Sequence, residues 1–181
     1  MLHFIKSPKI LQRLFSDFLW KINTDEKVIY LTFDDGPHPF ITPWVIDLMN
    51  QYNAKGTFFL IGDAVNKYPD LYRLYKANGH QVGNHTYTHI NGWRNKKKIY
   101  LKEIAQCAEV VKSSLFRPPY GKINLQAIRE IKKQYKIVMW DVLSCDFDTA
   151  KDLEICLSNV INCSEKGSIV VFHENDKSIK N

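Results

Sequence analysis

What the sequence has little of already narrows its class. Its four cysteines, Cys107, Cys145, Cys156 and Cys163, include no CxxC pair, so reduced core thiols are expected rather than a cysteine metal or redox motif. No apolar run approaches the length of a membrane span. Met1 to Trp20 is not a basic segment followed by an unbroken apolar one, because Lys6, Pro8, Lys9, Gln12, Arg13 and Asp17 interrupt it. The chain as given is therefore expected to be soluble and without a signal peptide, with its compartment unknown. Basic residues interleaved with aromatics along one face are missing, which argues against a nucleic-acid partner, and Lys96-Lys97-Lys98 reads as a solvated helix start. Internal repeats, low-complexity tracts and linkers are absent too, and the oligomeric state is left open.

What is present suits one domain: 181 residues, 45% of them hydrophobic, can bury a substantial core. The net charge of +6 favours anionic or neutral partners. Apolar residues recur at helical spacing from Ile10 to Ile22, predicting a leading amphipathic helix within an extension over 1–26. From there strands and helices alternate. Strands are predicted at 28–33, 56–61, 80–83, 115–117, 135–140 and 168–172, with helices at 42–52, 69–77, 95–114, 124–134 and 153–160 between them. Such alternation means βα units and a mostly parallel sheet, open or closed into a barrel.

Chemistry-bearing residues gather at predicted strand ends, where such folds build their sites: Asp34, Asp35, Arg117, Asp141 and His173. Val28 to Phe33 runs into Asp34-Asp35-Gly36-Pro37. Alone, these four residues fit a solvated turn as well as a site. On an extended backbone the two carboxylates point to opposite sides, so they are expected to meet different neighbours and take different tasks. His85 and His89, four apart, share one face if they lie on a helical turn, and Asp35 is the natural third member of a two-imidazole, one-carboxylate metal set. Alone, HxxxH is more often a surface coincidence. Zinc is the first expectation, with cobalt, manganese, iron and nickel also compatible. In Arg117-Pro118-Pro119-Tyr120-Gly121 two prolines stiffen a strand exit. That is either a rigid structural loop or one that sets Arg117 beside a site acid and the Tyr120 backbone N–H before a developing oxyanion.

TFDDGP (32–37), HTYTH (85–89), RPPYG (117–121), MWDVLSCDF (139–147) and IVVFH (169–173) together resemble, in order, the motifs of the polysaccharide deacetylases, the NodB-homology domain of carbohydrate esterase family 4. The resemblance covers about 28 to 173 and implies a distorted (β/α) barrel forming a catalytic domain over 27–181. It also implies metal-dependent removal of acetyl groups from a glycan, usually from N-acetylglucosamine units, with the acetylated glycan as partner. Position by position it implies Asp34 as general base, Asp35, His85 and His89 as metal ligands, Arg117 as the arginine lining the base, Tyr120 as oxyanion contributor and His173 as general acid. Pro119 and Phe147 would help shape the substrate side. Such enzymes usually act on cell-envelope or extracellular polymers.

Two departures stand out. The fourth motif commonly supplies an Asp followed shortly by Asp-Trp, the first Asp orienting the histidine, whereas the matching positions here read Leu143, Asp146 and Phe147. Asp141 is therefore expected to orient His173 instead. The chain also stops eight residues after His173, where the family usually runs on, so the barrel is expected to be truncated at its C-terminal end. Glycan N-deacetylase is the favoured function, with a metal-dependent amidohydrolase on a small acylated amine and a weak or silent glycan-binding domain as alternatives.

Overall fold

The computed structural model describes residues 4–180; Met1, Leu2 and His3, the start of the expected extension, and Asn181 lie outside the described residues. After α1 (Lys9–Leu14) the chain alternates β1 (Tyr30–Asp34), α2 (Ile41–Gln51), β2 (Thr57–Leu60), α3 (Gly62–Lys67), α4 (Pro69–Ala77), β3 (Gln81–Asn84), α5 (Lys97–Val110), β4 (Leu115–Phe116), α6 (Ile128–Ile131), β5 (Lys136–Ile137), β6 (Val142–Leu143), α7 (Leu153–Cys163) and β7 (Ile169–His173). The start and stop of α4 follow the sequence. Pro69 opens α4 at its first turn, where no backbone N–H is needed, and Gly79, at φ +73, ends the passage out of it. Lys96 and Lys98 are exposed at the start of α5, as expected of a solvated helix start.

Among the described residues seven strands form one sheet in the order β5-β4-β3-β2-β1-β7-β6, with every pairing between named strands parallel. That order forces the sheet to curl. Six gaps of about 4.8 Å would set the edges of a flat seven-stranded sheet about 29 Å apart. Yet β5 ends at Ile137 and β6, on the other edge, starts at Val142, and five residue steps span at most about 17 Å. The sheet therefore wraps into the distorted barrel that the motifs implied. Phe33, Phe58 and Val82 face α2 and α4 in one core with Ile46, Met49 and Tyr75, whereas Phe59 and Ile169 point inside the curl with Val138.

The leading segment differs from expectation. Among its described residues only Lys9–Leu14 is helical, and Ile10 and Leu14 are exposed. Beyond it the chain runs extended along the barrel. Leu19 bridges Val138 and Lys21 bridges Ser168, while ahead of α1 Lys6 bridges Val142 on the β6 edge. Phe18 and Trp20 are buried with the α5 core, and Leu19 and Ile22 pack beneath Phe59 and Ile169. The helical spacing at 10–22 failed because both barrel edges compete for this backbone, and ladder bonds plus burial outweigh a weak helical preference.

Two further differences are local. The helix expected at 124–134 breaks into a 3₁₀ turn at Leu125–Ala127 and the single turn α6, and α3 was missed within a polar stretch. Cys107, Cys145 and Cys156 are buried, Cys163 is half-buried, and all four are free. No helix among the described residues is long and apolar enough to cross a membrane.

Candidate active site

Because the strands are parallel, their carboxyl ends share one rim, and register sets neighbours level. Asp34 closes β1 and His173 closes β7, with the two residues paired across the ladder. Asp34 is buried, and its Oδ1 accepts from Arg117 Nη1 at 2.7 Å. Arg117, just past β4 and fully buried, uses the rest of its fork on the barrel interior. Nη1 also donates to Thr32 Oγ1 (2.8 Å), Nη2 to the Met139 carbonyl (2.9 Å) and Nε to the Val138 carbonyl (3.2 Å). The guanidinium lies 4.1 Å over the Phe59 ring. Planar, multidonor geometry of this kind suits arginine and no other side chain.

Asp35 leaves the strand at φ 76, a left-handed conformation that Asp tolerates better than most residues. The strict alternation read from sequence therefore fails at this residue. His85 Nε2 lies 3.9 Å from Asp34 Oδ2 and 3.6 Å from Asp35 Oδ1, so the two acids share a neighbour after all. Their other partners still differ: Asp35 Oδ1 is 3.1 Å from His89 Nε2, while Asp34 is tied to Arg117. Burial alone would raise the Asp35 pKa, but the close approach of His89 and the imidazole charges around the carboxyl outweigh it and hold it far below its usual range.

The helical turn expected for His85 to His89 does not form. His85 follows β3, and the two rings, 5.0 Å apart, are brought together by a loop with left-handed Thr86 (φ 64) and His89 (φ 57). His85 Nδ1 bonds the Arg117 carbonyl at 2.8 Å, which fixes the tautomer and leaves Nε2 as the free lone pair facing Asp35. Burial pushes its pKa down to about 4, so the imidazole is neutral at physiological pH. The candidate ligand atoms of Asp35, His85 and His89 all lie within 4.8 Å of one another. Asp35 Oδ1 is buried and has no hydrogen-bond partner among the described residues. A neutral imidazole with its outer nitrogen anchored, a second imidazole and an orphaned carboxylate oxygen fit a divalent metal ion.

His173 stands across the rim. Its Nδ1 lies 2.7 Å from Asp146 Oδ1, and its backbone N–H donates to Asp146 Oδ2 at 2.6 Å. Burial would lower the imidazole pKa, but the bond and charge of Asp146, with Asp35 and Asp34 behind it, raise it to about 9. Asp146, not Asp141, is thus the partner of His173, which corrects the expectation from sequence. Asp141 Oδ2 accepts from Ser168 Oγ at 2.6 Å and lies 3.4 Å from Lys6 Nζ. The reason is topological. The strand expected over 135–140 ends at Ile137, the chain crosses to the other edge, and Asp141 precedes β6 at the amino-terminal end of the strands.

Tyr120 is exposed, left-handed (φ 59), with its ring 4.5 Å from that of His89. Pro119 is buried behind it. Gly121, at φ +67, admits no side chain, since a Cβ there would lie 2.8 Å from the Trp140 ring. Phe147 packs edge-on to His173 at 4.8 Å between ring centroids. A groove of about 610 Å³ joins the carboxylates and imidazoles to Tyr120, Lys122, Trp140 and Phe147. Left-handed backbone at Asp35, His89 and Tyr120 marks the strain that folds store at functional sites. Asn175, whose Nδ2 donates to Asp35 Oδ2 at 2.7 Å, was not singled out from sequence. Its one signal was its place two residues beyond His173 at a strand end.

Residues 21–140 match the family model described as polysaccharide deacetylase. A peptidoglycan-N-acetylglucosamine deacetylase of Bacillus cereus is 35% identical over 168 residues, covering 88% of this chain and 79% of the relative. A chitooligosaccharide deacetylase of Azorhizobium caulinodans is 30% identical over 162 residues, 85% of this chain and 77% of the relative. Among solved structures, the Bc1960 peptidoglycan N-acetylglucosamine deacetylase superposes with a TM-score of 0.83 at 30% identity, covering 88% of this chain and 77% of that one.

Proposed function

The chain belongs to the polysaccharide deacetylase family, and on that premise we propose that it hydrolyses the acetamido group of N-acetylglucosamine units in a peptidoglycan- or chitin-like glycan. The observation that carries the reading is a buried carboxylate oxygen without a hydrogen-bond partner, facing two imidazoles and flanked by an arginine-held acid and an acid-held histidine. The peptidoglycan relatives favour a cell-wall polymer as the substrate in the cell.

Asp35, His85 and His89 would hold one divalent cation, zinc in the first instance, which supplies Lewis acidity toward the acetyl oxygen and toward water. Asp34 serves as general base. Arg117 occupies its Oδ1, so Oδ2, on the His85 side, is the oxygen left to take a proton from water. His173 serves as general acid. With Nδ1 engaged by Asp146, Nε2 is the nitrogen left for the substrate, and the Asp146 carboxylate favours the protonated ring, as donation to a departing amine requires. The Tyr120 backbone N–H, on the stiffened loop 117–121, is assigned to the developing oxyanion, with Phe147 as a groove wall beside the acid.

The test measures acetate release from N-acetylglucosamine oligomers, acetylated xylan and small acylated amines, with zinc added or chelated, for the wild type and Asp34→Asn. The expected result is zinc-dependent release from the oligomers and a loss of roughly 10²- to 10⁴-fold in the variant. Equal release with chelator present overturns the mechanism. Release from small amines alone overturns the glycan assignment.

A further inference from the structure

Asn175 lies in the tail beyond β7, and 140 residues separate it from Asp35, to which it is bonded. The orientation of its amide is settled by its neighbours. Oδ1 accepts the backbone N–H of Lys177 at 2.9 Å and that of Ser178 at 3.3 Å, which leaves Nδ2 as the end that meets the Asp35 carboxylate. Reversed, the amide would set oxygen against oxygen at Asp35 and N–H against N–H in the turn. The turn is itself tied to the rim, because Ser178 Oγ donates to the His173 carbonyl at 2.6 Å.

This bond divides the two oxygens of Asp35. Oδ2 is taken by Asn175, while Oδ1 faces His85 and His89 with no hydrogen-bond donor. We propose that Asn175 is a positioning residue for the metal set, holding Asp35 so that it offers one oxygen and not two. The benefit is chemical: a site with three protein ligands keeps its remaining positions for water and substrate, and a carboxylate free to rotate would claim one of them. Partners in this outer layer typically change metal affinity by about 10- to 100-fold when removed. The proposal rests on reading Asp35, His85 and His89 as the metal ligands, not on the identity of the glycan.

The test is Zn²⁺ affinity of the whole chain by competition with a chromophoric chelator, without substrate, for the wild type, Asn175→Ala and Ser178→Ala, with metal-free thermal unfolding as a fold control. Asn175→Ala is expected to weaken Zn²⁺ binding about 10- to 100-fold, and Ser178→Ala, which disturbs the turn but keeps the amide donor, by no more than about threefold. Wild-type affinity in Asn175→Ala overturns the proposal. An equal loss in both variants, assigning the effect to the turn, overturns it too. A wild type that binds Zn²⁺ with this pattern yet releases no acetate would refute the deacetylase reading and leave this inference standing.

Discussion

Replacing Asp146 with Asn tests the site most sharply, because two residues were candidates for one task. Asp146 makes two bonds to His173, one to the ring at 2.7 Å and one to the backbone N–H at 2.6 Å. Asn keeps the shape but loses the charge, and its amide has only one acceptor for two donors. Burial then dominates, and the His173 pKa falls from about 9 to the ordinary 6.5 or below. At pH 8 the metal-free wild type should be about 90% protonated at His173, and the variant about 3% or less, by the ordinary titration law. Imidazole proton NMR reads that difference directly. In the metal-loaded enzyme, a general acid without its orienting partner should cost roughly 10²- to 10⁴-fold in kcat. Asp141→Asn is the control. It disturbs the bonds to Ser168 and Lys6 at the far end of the barrel, so it should cost about 1–3 kcal/mol of stability and leave kcat within about threefold. The reasoning is refuted if Asp141→Asn lowers kcat as far as Asp146→Asn, or if Asp146→Asn leaves the His173 titration where it was.

Arg117→Met would leave Asp34 buried without its partner, an expected loss of about 3–5 kcal/mol, and Arg117→Lys should recover little because four acceptors need a planar fork; wild-type melting of the lysine variant would contradict this. Glu174 is fully buried between Tyr75 and Thr42, and burial pushes its pKa up to about 7. An acid whose folded pKa lies above its unfolded value loses stability as pH rises from about 4.5 through 7, here about 3 kcal/mol, so Glu174→Gln should flatten the decline in melting temperature between pH 5 and pH 8. A variant that declines as steeply as the wild type would exclude Glu174 as the source. Gly36→Ala would set a Cβ 2.1 Å from Glu174 Oε2 and 2.6 Å from the Tyr75 hydroxyl, so calorimetry should show a loss of about 1–3 kcal/mol that shrinks when Glu174→Ala is added. Strict additivity of the two would count against the clash.

Local pattern carried much of this protein. The apolar run into Asp34, the alternation of strands with helices and Pro69 at the head of α4 are decided by neighbours a few residues away, and parallel connection then sends Asp34, His85, Arg117 and His173 to one rim. That is why the parallel sheet and the gathering of these residues at one rim were legible in sequence. What the sequence did not decide depends on contacts between distant segments. Asp146 rather than Asp141 meets His173 because the chain leaves β5 after Ile137 and crosses to the opposite edge, a step invisible to a two-residue period. The extended run of 19–22 across the barrel and the reach of Asn175 to Asp35 belong to the same class. Each is fixed by the closure of the curled sheet, which brings together residues whose sequence neighbours carry no sign of the meeting.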